Sequence, residues 1–284
     1  MSIEIGRRFD NRPLALPWAP CPHILIGGQT GSGKSGVTNA VIAGVAGRAD
    51  TAICGIDLKL VEQWPWRDRL TTCATSTAEA DKLLADLRSL IQLRAELLQT
   101  HGERMWSTRL GPWVLVVVDE LAELAGFDPD TLIDAARSGD TKDVIRNART
   151  AAQIRVALLG SLARMARFCG ITIVAATQYP SYEVVDQQIR TQLTIRIMLR
   201  VASGEQVDVC LGRGYSNRVG VRSIPANQPG GLWVVGLPDH PEPVRGRAHY
   251  LTDHYIARHA DRTAHLTWPL AALFGPGQQV PAAS

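Results

Sequence analysis

The run HILIGGQTGSGKS, His23 to Ser35, joins a short apolar stretch to a glycine-rich loop that closes on a lysine and a serine. His23 to Gly27 reads as a buried strand stopped by paired glycines, and the apolar spacing from Lys34 to Val45 reads as a helix. Between them Gly28, Gln29, Thr30, Gly31, Ser32, Gly33, Lys34 and Ser35 satisfy G-x-x-x-x-G-K-[ST]. In a strand–loop–helix setting the glycines let main-chain N–H groups turn inward round phosphates, and the helix N-terminus adds partial positive charge. Lys34 would then reach the β- and γ-phosphates, and Ser35 would offer its hydroxyl to a cation. The expected ligands are ATP and Mg2+.

Working outward, Thr51 to Ile56 (TAICGI), Trp113 to Val118 (WVLVVV) and Ile171 to Ala176 (ITIVAA) are continuous apolar runs. Strands covered by helices on both faces read this way, so the fold class is α/β with a mostly parallel central sheet. Leu83, Leu84, Leu87, Leu90, Ile91, Leu97 and Leu98 repeat at threes and fours, giving a long amphipathic helix from Ala78 to about Met105. Leu193 to Val201 alternates, as a strand nearer an edge of the sheet would.

Asp119 and Glu120 follow directly on the strand ending at Val118, at the carboxyl end where α/β sheets place ligands. Asp119 is the expected partner of Mg2+. Glu120, next along, is the expected activator of the attacking water. Taken alone, two solvated acids at a strand end would look the same; the phosphate loop is what gives them a use. Thr177 and Gln178 end the following strand, and Gln178 is placed to sense the γ-phosphate.

The 284 residues are 45% apolar, enough for a substantial core, and carry a net charge of only +3. No run reaches the roughly 18 apolar residues of a membrane span, so the cytoplasm is the expected compartment. Cys21, Cys54, Cys73, Cys169 and Cys210 are scattered without a C-x-x-C pair, the pattern of free thiols. The charge is uneven: Thr141 to Gly170 holds Lys142, Arg146, Arg149, Arg155, Arg164 and Arg167 against Asp143 alone, and Arg213, Arg218 and Arg222 lie in a second acid-free run. Such clustering points to an anionic partner, with Arg146, Arg149 and Arg155 as the candidate contacts.

The chain resembles the FtsK/SpoIIIE family of DNA translocases. The likeness rests on Pro22-His23 before the first strand, Ile56-Asp57-Leu58-Lys59, Val118-Asp119-Glu120-Leu121-Ala122, Ala163-Arg164-Met165-Ala166-Arg167, and above all Ala176-Thr177-Gln178-Tyr179-Pro180-Ser181. Tyr179 stands where family members usually have arginine, and Leu58 where they usually have proline. The resemblance implies a RecA-like motor domain over 22–262, with an N-terminal extension over 1–21 and a partly disordered tail over 263–284. It further implies a homo-oligomer, a hexameric ring round double-stranded DNA, with ATP at each interface and an arginine from the neighbouring subunit. Arg167 matches the family's arginine and is the first candidate, followed by Arg164 and Arg196. The plasmid-transfer branch is most similar, which makes transfer or partition of mobile DNA the leading function and leaves a place for a membrane-anchored partner. A protein-secretion ATPase is the alternative, and a nucleotide kinase fits less well, since an Asp–Glu pair favours water as acceptor.

Overall fold

The computed structural model describes residues 1–19, 22–126, 131, 133, 136, 137 and 141–275. Cys21 and the chain beyond Gly275 lie outside them. Ten strands form one sheet in the order β2-β1-β10-β9-β8-β3-β7-β6-β4-β5. These are β1 (Ser2–Arg8), β2 (Pro13–Pro17), β3 (Ile24–Gly27), β4 (Thr51–Ile56), β5 (Thr72–Ala74), β6 (Trp113–Val118), β7 (Ile171–Thr177), β8 (Ile195–Leu199), β9 (Gly231–Val235) and β10 (Val244–Ala248). The six strands from β8 to β5 are parallel neighbours. The remaining four form an antiparallel wing.

The parallel strands read as unbroken apolar runs because successive side chains enter two separate cores. Leu25, Val114, Val116 and Val118 face one core with α2 (Thr77–His101) and α4 (Thr141–Ala166). Ile24, Ile26, Leu115 and Val117 face the other with α1 (Lys34–Ala46) and α7 (Asp253–Thr263). Three shorter α-helices have bounds among the described residues: α3 (Leu121–Leu124), α5 (Gln187–Gln192) and α6 (Gly204–Leu211). Among the described residues no helix is long and apolar enough to cross a membrane.

Helix α2 starts where Ser76 accepts from the Glu79 N–H and stops four residues short of Met105. Gly102, at φ 65°, takes the left-handed conformation that ends it. Strand β8 does not lie near an edge; it is hydrogen-bonded to β3 on one side and β9 on the other. Its alternation comes from Arg196, whose guanidinium is held inside by the carbonyls of Leu193, Leu211 and Arg190.

Residues 2–17, read from sequence as an extension, supply two strands of the same sheet. Ile3, Ile5, Leu14, Leu16 and Trp18 join the α1 core, and a Cβ at Gly44 on α1 would lie 2.9 Å from Ile3. Gly6 is needed at this crossing, since a Cβ there would lie 2.1 Å from the Arg247 carbonyl. At the other end Trp268 and Leu273 are buried, with Trp268 Nε1 donating to Ala49 O at 2.8 Å. Cys54, Cys73, Cys169 and Cys210 are free thiols.

Candidate nucleotide site

The loop from Gly28 to Gly33 crosses the carboxyl ends of the parallel strands. Its base is tied to both neighbours of β3: Gly28 N donates to Thr177 O at 3.2 Å and Gln29 N to Arg200 O at 3.0 Å. Its far side is closed from the wing, where Gly230 N donates to Ser32 O at 2.8 Å. Gly33, at φ 97°, makes that approach possible, for a Cβ would sit 2.3 Å from Gly230 N. Gly31, at φ 73°, has nothing within 4 Å of where a Cβ would be, so the loop is open there.

Lys34 opens α1 and is buried; its ammonium donates to Asp119 O at 2.9 Å and lies 3.3 Å from Asp119 Oδ1. Burial pushes the Asp119 carboxyl up to about 6, against the pull of Lys34 and with Glu62 and Asp57 adding to the rise. Glu120 is also buried. It accepts from Ala122 N at the start of α3, and from Gln178 N at 3.1 and 3.0 Å. The Gln178 side chain in turn accepts from the Thr30 hydroxyl at 2.7 Å. The ends of β3, β6 and β7 are therefore joined through five side chains: Lys34 with Asp119, Thr30 with Gln178, and Glu120, which the Gln178 main-chain amide holds.

Three contributors were not picked out as site residues from the sequence. Lys59, just past the end of β4, lies 3.6 Å from both Glu120 and Glu123. Asp57 is buried and accepts from Lys59 N and Gln63 N, shaping the turn that presents Lys59. An acid and a lysine at the carboxyl end of a strand beside β6 were a readable signal. Gly230 had none, because its contact with the loop spans nearly 200 residues.

Among the described residues no group of three or more His, Cys, Asp or Glu could hold an ion alone. Ser35, half-buried on α1, and Asp119 offer hard oxygens, and Mg2+ is commonly held by one or two such groups plus substrate phosphates. The residues fit an ion that arrives with the nucleotide.

The candidate arginines separate. Arg146 is exposed and pairs with Asp143 at 2.6 Å, and Arg149 is exposed on the same helix. Arg155 does not belong with them. It is buried, with Nε 2.7 Å from Asp81 Oδ1 and Nη1 donating to Leu124 O at 2.9 Å, so it braces α4 against α2 and α3 and has no free face for a phosphate. Arg164 and Arg167 are exposed near the amino-terminal end of β7. The phosphate loop lies at the carboxyl end of that strand, roughly 23 Å away for seven residues. Neither could serve the nucleotide of its own chain. Arg196 has its donors committed to carbonyls.

A model described as the FtsK/SpoIIIE family matches residues 1–111. The DNA translocase FtsK of Halalkalibacterium halodurans is 28% identical over 241 residues, covering 77% of this chain and 28% of that protein. FtsK of Lactiplantibacillus plantarum is 26% identical over 278 residues, covering 90% of this chain and 31% of that protein. The DNA translocase SftA of Bacillus subtilis is 26% identical over 226 residues, covering 73% and 21%. The chain thus spans between 21% and 31% of the length of these three relatives. Among solved structures, the pCW3 conjugation coupling protein TcpA, in its monomer form with ATPγS, aligns at TM-score 0.73 and 22% identity over 92% of this chain and 70% of its own. The cytoplasmic domain of the Thermomonospora curvata type VII secretion ATPase EccC aligns at TM-score 0.66 and 18% identity, over 100% of this chain and 32% of its own. At these identities the two structures share the fold.

Proposed function

From the chain's similarity to the FtsK/SpoIIIE family, we propose that it is a P-loop ATPase of that kind, an ATP-driven motor on double-stranded DNA acting in transfer or partition of mobile DNA. The observation that carries the reading is the meeting of Lys34, Asp119, Glu120 and Gln178 beside the phosphate loop, in a chain whose curated relatives are DNA translocases.

In this reading the triphosphate enters the loop and Lys34 swings from Asp119 to the β- and γ-phosphates. Ser35 Oγ and the released Asp119 carboxylate would hold Mg2+, which would supply positive charge against the charge that builds up on the phosphates. Glu120, 3.6 Å from the Lys59 ammonium and oriented by the Gln178 main-chain amide, accepts a proton from the attacking water. Loss of the γ-phosphate is felt at Thr30 and passed through its hydrogen bond to Gln178, and so to the loop that follows β7. The neighbouring copy in a hexameric ring contributes Arg167, which its own site cannot use. Arg146 and Arg149 on the exposed face of α4 contact DNA phosphates without regard to sequence, since a motor must leave every site it visits. The motor works in the cytoplasm, recruited by a membrane-anchored partner.

Steady-state ATP turnover with and without linear duplex DNA tests the reading. Stimulation by duplexes of unrelated sequence, lost at high salt, is expected. Turnover indifferent to DNA would overturn the motor and favour a secretion ATPase.

A further inference from the structure

The two oxygens of Glu120 are engaged unequally. Oε1 accepts from two main-chain amides, Ala122 N at 3.3 Å and Gln178 N at 3.1 Å, whereas Oε2 accepts from Gln178 N at 3.0 Å. A carboxylate has about four lone-pair sites, so the room for a water is on Oε2. The Lys59 ammonium stands 3.6 Å from that oxygen, an ion-pair distance rather than a hydrogen bond. It stands equally far, 3.6 Å, from Glu123 Oε1. Glu123 lies three positions on from Glu120, in the single turn of α3, so both acids reach one cation. They differ in setting: the Glu120 side chain is 3% exposed and that of Glu123 50%.

The turn that carries Lys59 is rigid. Asp57 accepts from Lys59 N at 3.3 Å and from Gln63 N at 2.9 Å, and Gln63 Nε2 donates to Ile56 O and Val117 O, at 3.3 and 3.1 Å, across β4 and β6. Leu60, next to Lys59, is held at φ 62°, a left-handed conformation that a leucine rarely takes and that fixed surroundings must enforce. What can move is the lysine side chain, a point charge on a flexible stem. A rigid turn therefore presents one mobile cation midway between a buried acid and a wet one.

We propose that Lys59 is a positioning residue for the hydrolytic step: beside Glu120 it closes Oε2 to water, and by moving to Glu123 it opens that oxygen. Glu123 is then the resting place that makes Glu120 available. The inference rests on the reading of Glu120 as the acceptor of the water's proton, and adds the condition under which it accepts.

Single-turnover hydrolysis at saturating ATP, with ATP affinity measured alongside, tests the proposal. Glu123→Gln leaves Lys59 with Glu120 and should slow hydrolysis by about fivefold, the scale of an ion pair near the surface, at unchanged ATP affinity. Glu123→Asp keeps the charge and should hydrolyse nearer the wild-type rate. Lys59→Met leaves Oε2 open and should be no slower than wild type, and adding Glu123→Gln to it should then have no effect. A merely structural role for Glu123 would not give that result, since a damaged α3 slows both backgrounds alike. Equal slowing by Glu123→Gln in the two backgrounds overturns the proposal, as does a wild-type rate in Glu123→Gln. So does a Lys59→Met chain that is slower than wild type, or one that binds ATP more weakly, which would put the ammonium on the phosphates. Equal slowing by Glu123→Gln and Glu123→Asp overturns it without recourse to Lys59→Met. A Glu120→Gln chain that hydrolyses as the wild type does removes the reading of Glu120 and this inference with it.

Discussion

The main-chain N–H of Gln178 donates to both carboxylate oxygens of Glu120, at 3.1 and 3.0 Å, so the residue after β7 holds the acid after β6. Glu120→Gln keeps an acceptor for that amide and removes the proton-accepting charge. Nucleotide affinity should persist while hydrolysis falls by about two orders of magnitude or more. Single-turnover ATP hydrolysis measures this. Unchanged turnover in Glu120→Gln, with a dead Asp119→Asn, would reverse the roles of the two acids.

Lys34→Ala removes a point charge from the phosphates and leaves Asp119 buried without its cation. ATP affinity should drop by about tenfold or more, on the scale of a lost charge-assisted hydrogen bond, and turnover should vanish. The circular dichroism spectrum should not change. Wild-type turnover would sink the assignment of the loop.

Arg146→Ala and Arg149→Ala should each lower the slope of DNA affinity against salt by about one unit, on any sequence. Arg155→Ala should leave that slope alone and reduce stability by about 2 kcal/mol, because Leu124 O and Asp81 lose a buried partner. The figure is kept low because the Asp81 side chain is 53% exposed and keeps much of its hydration. A salt slope altered by Arg155→Ala would return that residue to the DNA face.

His23 gives a pH dependence of known sign. Its Nδ1 accepts from Ile173 N at 2.9 Å and its Nε2 donates to Ala163 O at 2.8 Å, so the neutral ring pins α4 to β7. Burial, helped by Arg167, lowers its pKa from 6.5 to about 4. Between those values the unfolded chain binds the proton and the folded one does not. The contribution is therefore complete above about pH 6.5 and is lost as pH falls towards 4, reaching about 3 kcal/mol there. Denaturant unfolding at pH 7 and pH 5 should show wild type losing about 2 kcal/mol more than His23→Gln. Parallel losses would show that another group carries the dependence.

The parallel half of the sheet and the phosphate loop were legible because both faces of β3, β4, β6 and β7 are buried, which writes them as unbroken apolar runs. The antiparallel wing was not. In β10 two arginines alternate with Gly246 and Val244, and its pairing of Gly6 with Ala248 joins opposite ends of the chain, leaving no local trace. Asp119 and Glu120 could be placed because a strand delivers them. Lys59 was legible as a charge just past the end of β4, but not its pairing with Glu120, which lies 61 positions away in the chain. Arg155 misled because composition does not distinguish an arginine facing water from one turned inward to satisfy Leu124 O.

Strand β2 ends the sheet, and it both begins and finishes with proline, at Pro13 and Pro17. A proline has no N–H to offer a further strand, so this border resists sideways growth. A chain shortened to begin at Pro22, where the run into the phosphate loop starts, would end instead on β10, VRGRA, with its main-chain ladder bare and α1 stripped of Ile3 and Ile5. Such a chain would retain the residues proposed for hydrolysis and precipitate through its own raw edge. The first 19 residues are thus a solubility element as much as a structural one.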